Sequence, residues 1–109
     1  MLLKKTFYGA LAGTSEGEML TAGAPASGTA GYVALERFTG TLDGRRGSFV
    51  MQHSGTMAGG RNTLAIVITP GSGTEQLAGI AGTATIDIEG GQHYYTLHYQ
   101  LPAQPAANR

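Results

Sequence analysis

An all-β fold, an antiparallel meander closing into a barrel of about seven or eight strands, is what this sequence predicts. Three observations predict it. Apolar and polar residues alternate in short stretches bounded by Gly, Pro, Asn, Asp or Ser; a helical period of 3.6 residues is nearly absent; and 18 of the 109 residues are glycines that punctuate the apolar runs without a fixed repeat. The length suits one core and is short for two, so residues 1–102 are expected to form a single domain, with 103–109 a frayed tail.

Taken in order, strands are expected near residues 2–10, 17–22, 29–38, 47–54, 62–69, 83–88 and 92–101. The intervening segments carry turn chemistry: Ala12-Gly13, Gly23 to Gly28, Leu42-Asp43-Gly44, Gly59 to Asn62, Pro70 to Gly73 and Glu89 to Gly91. Each offers a residue tolerant of positive φ or a preset φ, and Asp43-Gly44 has the composition of a two-residue hairpin turn. Glu75 to Gly82 carries Leu77 and Ile80 three apart and is read as irregular, either one helical turn or a loop tucked beneath the barrel.

Side chains alternate faces along a strand, so parity sorts each strand into two rows. His93, Tyr95, Leu97, Tyr99 and Leu101 form one row of the last strand, read as inward. Phe49, Met51 and His53 form one in the fourth; Tyr32, Ala34, Glu36 and Phe38 form one in the third. The fifth is apolar on both sides, with Leu64, Ile66 and Ile68 against Ala65 and Val67, and a strand buried on both faces needs a second layer. Charged residues make up only 13% of the chain against about 25% in an ordinary soluble domain, so both features point to self-association, most simply a homodimer.

Composition excludes several function classes. Zero formal net charge argues against a nucleic-acid partner. The absence of cysteine removes disulfides, thiolate metal sites and cysteine nucleophiles. No apolar run approaches a membrane span, and Lys4 and Lys5 follow the short apolar start in the wrong order for a signal peptide, so no membrane partner and a cytoplasmic location are expected.

Several segments together carry a resemblance: Lys5-Thr6-Phe7-Tyr8-Gly9, Gly31 through Gly40, Gly47-Ser48-Phe49-Val50-Met51-Gln52-His53-Ser54-Gly55, Pro70-Gly71-Ser72-Gly73-Thr74 with Leu77-Ala78-Gly79, and His93-Tyr94-Tyr95-Thr96-Leu97-His98-Tyr99. Over nearly the whole chain it resembles a bacterial domain-of-unknown-function family whose barrel is similar to allene oxide cyclase and to lipocalins. The resemblance implies the fold and no activity. It also implies that a strand usual in that family precedes the part matching Met1, which would leave a gap in the barrel to be sealed by a partner or a rearranged edge.

The residues offering chemistry are few. Glu36 sits among apolar and aromatic neighbours on its row, and if that face looks inward, burial would raise its pKa and suit proton transfer; pairing with Arg37 or another cation at a rim, or a row that faces solvent, is the plainer reading. His53 ends an inward row and is a second candidate for proton transfer, beside a purely structural role. His93 and His98 are five apart, hence on opposite faces, and no third ligand accompanies His93 and His53, so neither a metal site nor any other cofactor is expected. Pro70 to Thr74 lacks the Lys of a phosphate loop, and Ser72 lacks a nucleophile elbow.

These readings lead to a protein binding a small apolar molecule in a cavity lined by Phe49, Met51, Tyr95, Leu97 and Tyr99, with Glu36 and His53 as polar anchors. Two alternatives stand beside it. One is an isomerase or cyclase of an apolar substrate in which Glu36 or His53 moves a proton. The other is an interaction protein whose barrel is filled by its own side chains.

Overall fold

The computed structural model describes residues 2–102, with the side chains of Pro25 and Ile88 excepted. Seven strands follow one another in sequence and in space: β1 (Leu2–Phe7), β2 (Leu11–Ala24), β3 (Thr29–Leu42), β4 (Arg45–Ala58), β5 (Arg61–Ile68), β6 (Ala81–Glu89) and β7 (Gln92–Gln100). Every neighbouring pair is antiparallel and the order is β1-β2-β3-β4-β5-β6-β7, so the meander is as expected. The sheet curls into a half-barrel: β1 and β7 are its two edges, and no backbone ladder joins them. The barrel, whose closure the sequence left open, is unclosed along one seam.

Turn chemistry sets the hairpins. Asp43-Gly44, Gly59-Gly60 and Gly90-Gly91 each place two successive residues at positive φ, between 50° and 82°, the type I′ geometry whose twist matches that of the strands it joins. Strands β2, β3 and β4 run 14 residues each, longer than expected. The turn expected at Ala12-Gly13 is the main correction. Both residues lie inside β2, and the chain reverses at Tyr8 to Ala10 instead. Gly13 faces Gly40 across the ladder, and a Cβ on either would stand 2.8 Å from the other's Cα, so these glycines serve close strand approach rather than reversal.

The ladder is uneven. β3 and β4 pair from Ala30–Met57 to Leu42–Arg45, whereas β5 and β6 share only Ile66–Ala84 and Val67–Thr83. Where β5 ends, the following loop takes over its edge: Thr69 N–H donates to Val50 O at 2.8 Å and Thr74 N–H to Ser48 O at 2.9 Å, while the Ser72 and Thr74 hydroxyls accept from Val50 N and Ser48 N. That loop then turns through a short 3₁₀ segment, Glu75–Leu77, and drives Leu77 and Ile80 into the concave face. The tucked-loop reading of this segment is thus the observed one.

The core lies on the concave face toward that end of the sheet. Phe38, Leu42, Phe49, Met51, Ile66, Ile68, Leu77, Ile80 and Ala84 are buried together, with Phe7, Tyr95, Leu97 and Tyr99 of the two edge strands and Leu11 of β2 packed against them. Phe7 meets Phe38 edge-on with ring centroids 5.7 Å apart and Tyr95 at 5.1 Å, so aromatic contacts bridge the seam that hydrogen bonds leave open. Parity assigned the rows correctly: Ala34, Glu36 and Phe38 of β3 and Phe49, Met51 and His53 of β4 are buried, and Tyr95, Leu97 and Tyr99 of β7 are half-buried. The tail at 103–109 lies outside the described residues.

Candidate functional site

Glu36 is the anomaly of the concave face, a carboxylate with no exposed surface in the middle of β3, paired with β2 on one side and β4 on the other. The local sequence makes room for it. Gly17 stands opposite it on β2, and a Cβ there would lie 2.8 Å from Glu36 Cα and closer still to Leu35 O. Three donors converge on the carboxylate. Ser15 on β2 donates its hydroxyl to Oε2, His53 on β4 stands 2.8 Å from Oε1 through Nε2, and the Lys5 ammonium on β1 lies 3.5 Å from Oε1.

Burial would push this carboxyl up, but the hydrogen bonds from His53 and Ser15 and the positive charge of Lys5 together outweigh it and hold Glu36 below its ordinary value. Glu36 is therefore ionised at neutral pH and can only accept, so His53 Nε2 carries a hydrogen and donates it. Desolvation would likewise lower Lys5; its hydrogen bond to Tyr95 and the charge of Glu36 prevail, and its pKa is raised. Lys5 donates at 2.5 Å to the Tyr95 hydroxyl on β7. Burial, outweighing that hydrogen bond, lifts the phenol and keeps it protonated.

Above this network the seam opens into a cleft of about 810 Å³. Its walls come from β1, β7 and the turns beside them: Phe7, Tyr8, Leu11, Tyr94, Leu97 and Tyr99 supply apolar and aromatic surface, with Lys5 and Tyr95 presenting their polar ends. Tyr99 donates its hydroxyl to Asp43, a second side-chain bridge from β7, here to the β3–β4 turn.

The structure distributes the sequence-predicted residues over two places. Tyr95, Leu97 and Tyr99 line the cleft. Phe49 and Met51 do not; both are wholly buried in the packed core. Glu36 and His53 are brought together as a buried pair and stand beneath the cleft rather than in its walls. Glu36 pairs with a cation, as its plainer reading had it, though in the interior. Among the described residues no three His, Asp or Glu side chains cluster as metal ligands would. Sequence reasoning passed over Lys5 and Ser15. Lys5 shares the inward parity of Leu3 and Phe7, a signal that would have found it; Ser15 fell in a segment read as lying between strands.

Among curated proteins none matches this chain. Among solved structures, a protein of unknown function from Shewanella oneidensis MR-1, assigned to the DUF3224 family, superposes with a TM-score of 0.89 at 48% identity, covering 95% of this chain and 78% of that one. The sequence itself matches DUF3224, described as a protein of unknown function, over residues 1–99. With the fold and most of the length shared, the chain belongs to the DUF3224 family.

Proposed function

We propose that this protein binds a small molecule with an apolar body in the seam cleft between β1 and β7. One observation carries the proposal: a cleft of about 810 Å³ whose walls carry aromatic and aliphatic side chains, with the ammonium–phenol pair of Lys5 and Tyr95 among the polar groups that line it. Apolar walls supply affinity by burial, and a few fixed polar groups supply orientation. Proton transfer by Glu36 or His53 is less well supported, because both are buried and neither lines the cleft. A wholly filled interior is less well supported too, since the filling ends where the cleft begins.

The test is titration of isotope-labelled protein with naphthalene-bodied probes, followed by NMR. Saturable shifts at Lys5 to Tyr8 and Tyr94 to Tyr99 are expected; saturation without shifts there, or no saturable shift with any probe, overturns the proposal.

Kinship with allene oxide cyclase and lipocalin-like barrels belongs to the same proposal and is supported by the curled antiparallel meander. So do a cytoplasmic location, which the lack of cysteine favours, and self-association. The second copy would cover the convex face, where Leu20, Val33, Leu35 and Val67 are between 44% and 71% exposed. The register joins them into one patch: Leu20 pairs Val33, which continues through Ser54 to Ala65, and Leu35 continues through Gln52 to Val67. Among the described residues no helix is long and apolar enough to cross a membrane.

A further inference from the structure

We propose that the seam cleft selects ligands bearing an acceptor-only oxygen head group, a carbonyl or carboxylate, on their apolar body. The inference rests on the binding reading above and comes from counting donors. Lys5 has three N–H groups; one is given to Tyr95 at 2.5 Å and one faces Glu36 at 3.5 Å, which leaves a third on a side chain that is 32% exposed and lines the cleft. The Tyr95 hydroxyl accepts from Lys5, so its own hydrogen points elsewhere, and among the described residues no acceptor takes it.

Two donors therefore stand side by side in the cleft, next to its aromatic and aliphatic walls. An oxygen with two lone pairs satisfies both at once; a hydroxyl adds a donor for which this point holds no acceptor, and an ammonium meets only donors. The remaining polar side chains of the lining sit at exposed positions: Asp43 accepts from Tyr99 and Gln92 from Tyr94, and Thr6 and His93 face solvent.

The buried groups fix the donors. Glu36 is the counterion that keeps Lys5 charged and holds it at the seam, and Ser15 and His53 hold Glu36. The phenol, protonated because it is buried, remains a donor at neutral pH. In this reading Glu36 and His53 are positioning residues and touch no ligand.

The probes are four naphthalenes differing at one substituent: 2-acetylnaphthalene, 2-naphthoate, 2-ethylnaphthalene and 2-(aminomethyl)naphthalene, titrated by NMR against wild-type protein and against Tyr95→Phe and Lys5→Met. Acetylnaphthalene and naphthoate should bind about 30-fold more tightly than ethylnaphthalene, the amine most weakly, since each of the two hydrogen bonds contributes about fivefold. Tyr95→Phe keeps the ring and removes only the hydroxyl, so it should cut the preference for acetylnaphthalene about fivefold, to what the Lys5 ammonium alone supplies, while leaving ethylnaphthalene unchanged. Lys5→Met should cut it by a like factor where circular dichroism shows it folded. Equal affinity for all four probes at the cleft, or a preference undiminished by Tyr95→Phe, overturns the acceptor inference and leaves the binding reading standing. Failure of every probe to shift the cleft resonances overturns both. A preference for naphthoate without one for acetylnaphthalene assigns selection to charge and also overturns it.

Discussion

Replacing Glu36 by Gln tests the core of the site, because the side chain keeps its shape and loses only its charge and one acceptor. In the wild type both carboxylate oxygens accept, one from Ser15 and the other from His53 and, at longer range, Lys5. Gln offers one acceptor and two donors, so at least one of the converging donors meets a donor instead. A hydrogen bond to an ionised group contributes about 1.5–3 kcal/mol, and a buried donor left unpaired costs about 1–3 kcal/mol. Against this stands relief from desolvating a charge, for Glu36 has no exposed surface. A net loss of about 2–4 kcal/mol at pH 7 is expected, lowering Tm by on the order of 10–25 °C in a domain of this size. Urea denaturation followed by circular dichroism measures it.

The pH dependence makes this test sharper. The folded-state pKa of Glu36 lies below its ordinary value of 4.5, so its stabilising contribution is complete above that value and is lost as the pH falls through the folded one. Gln does not titrate. The stability gap between wild type and Glu36→Gln should therefore be constant from neutral pH down to roughly pH 5.5 and narrow below it. A gap under about 0.5 kcal/mol at pH 7, or one that widens on acidification, would refute the assignment of an ionised carboxylate held by three donors.

Three further outcomes follow from the same geometry. Lys5→Met should lower stability at neutral pH, and because the folded pKa of Lys5 is raised, its deficit should persist up to the ordinary value of 10.5 and shrink only as the pH rises through the folded one; a deficit that vanishes by pH 9 in chemical denaturation would contradict this. Leu77→Ala removes a wholly buried side chain from the loop that plugs the core, and urea melts should show a loss of about 2–5 kcal/mol, whereas a loss under 1 kcal/mol would mean that the plug does not pack as described. Sedimentation at micromolar concentration should show a dimer that Val33→Glu with Leu35→Glu converts to monomer; a wild-type monomer removes the convex-face proposal.

How much of this was legible in the sequence depended on whether a local rule decided the outcome. Parity is local, so Glu36, His53, Phe49 and Met51 were assigned to the buried face without any knowledge of tertiary structure. Turn chemistry is local as well, which is why Asp43-Gly44 marks the reversal it makes. Gly13 shows the limit. A glycine spent on close approach between strands has the same letter as one spent on a turn, and only its partner Gly40, 27 positions away in sequence, distinguishes them. The division between core and cleft was likewise invisible, because Phe49 and Tyr95 lie on equally inward rows, and what separates them is that β4 runs inside the sheet while β7 borders the open seam. Lys5 was passed over for a related reason: its partners Glu36 and Tyr95 lie 31 and 90 residues away in sequence.

The open seam then acquires a physical rationale. A half-barrel exposes two strand edges, and an unprotected edge recruits other chains. Here β1 carries Lys4 outward and Lys5 inward, charged positions of the kind that make a short edge a poor template for another strand. The inward lysine would be costly on an apolar face without a counterion, and Glu36 supplies it from the centre of the sheet, itself affordable only because Ser15 and His53 complete its hydrogen bonds. The charge that guards the edge is thus also the charge presented to the cleft. Closing the ladder between β1 and β7 would bring their backbones to about 4.8 Å and occupy the space in which Lys5 and Tyr95 meet through their side chains. A sheet that stops short of closure is what leaves this pair, and the apolar walls around it, available to a ligand.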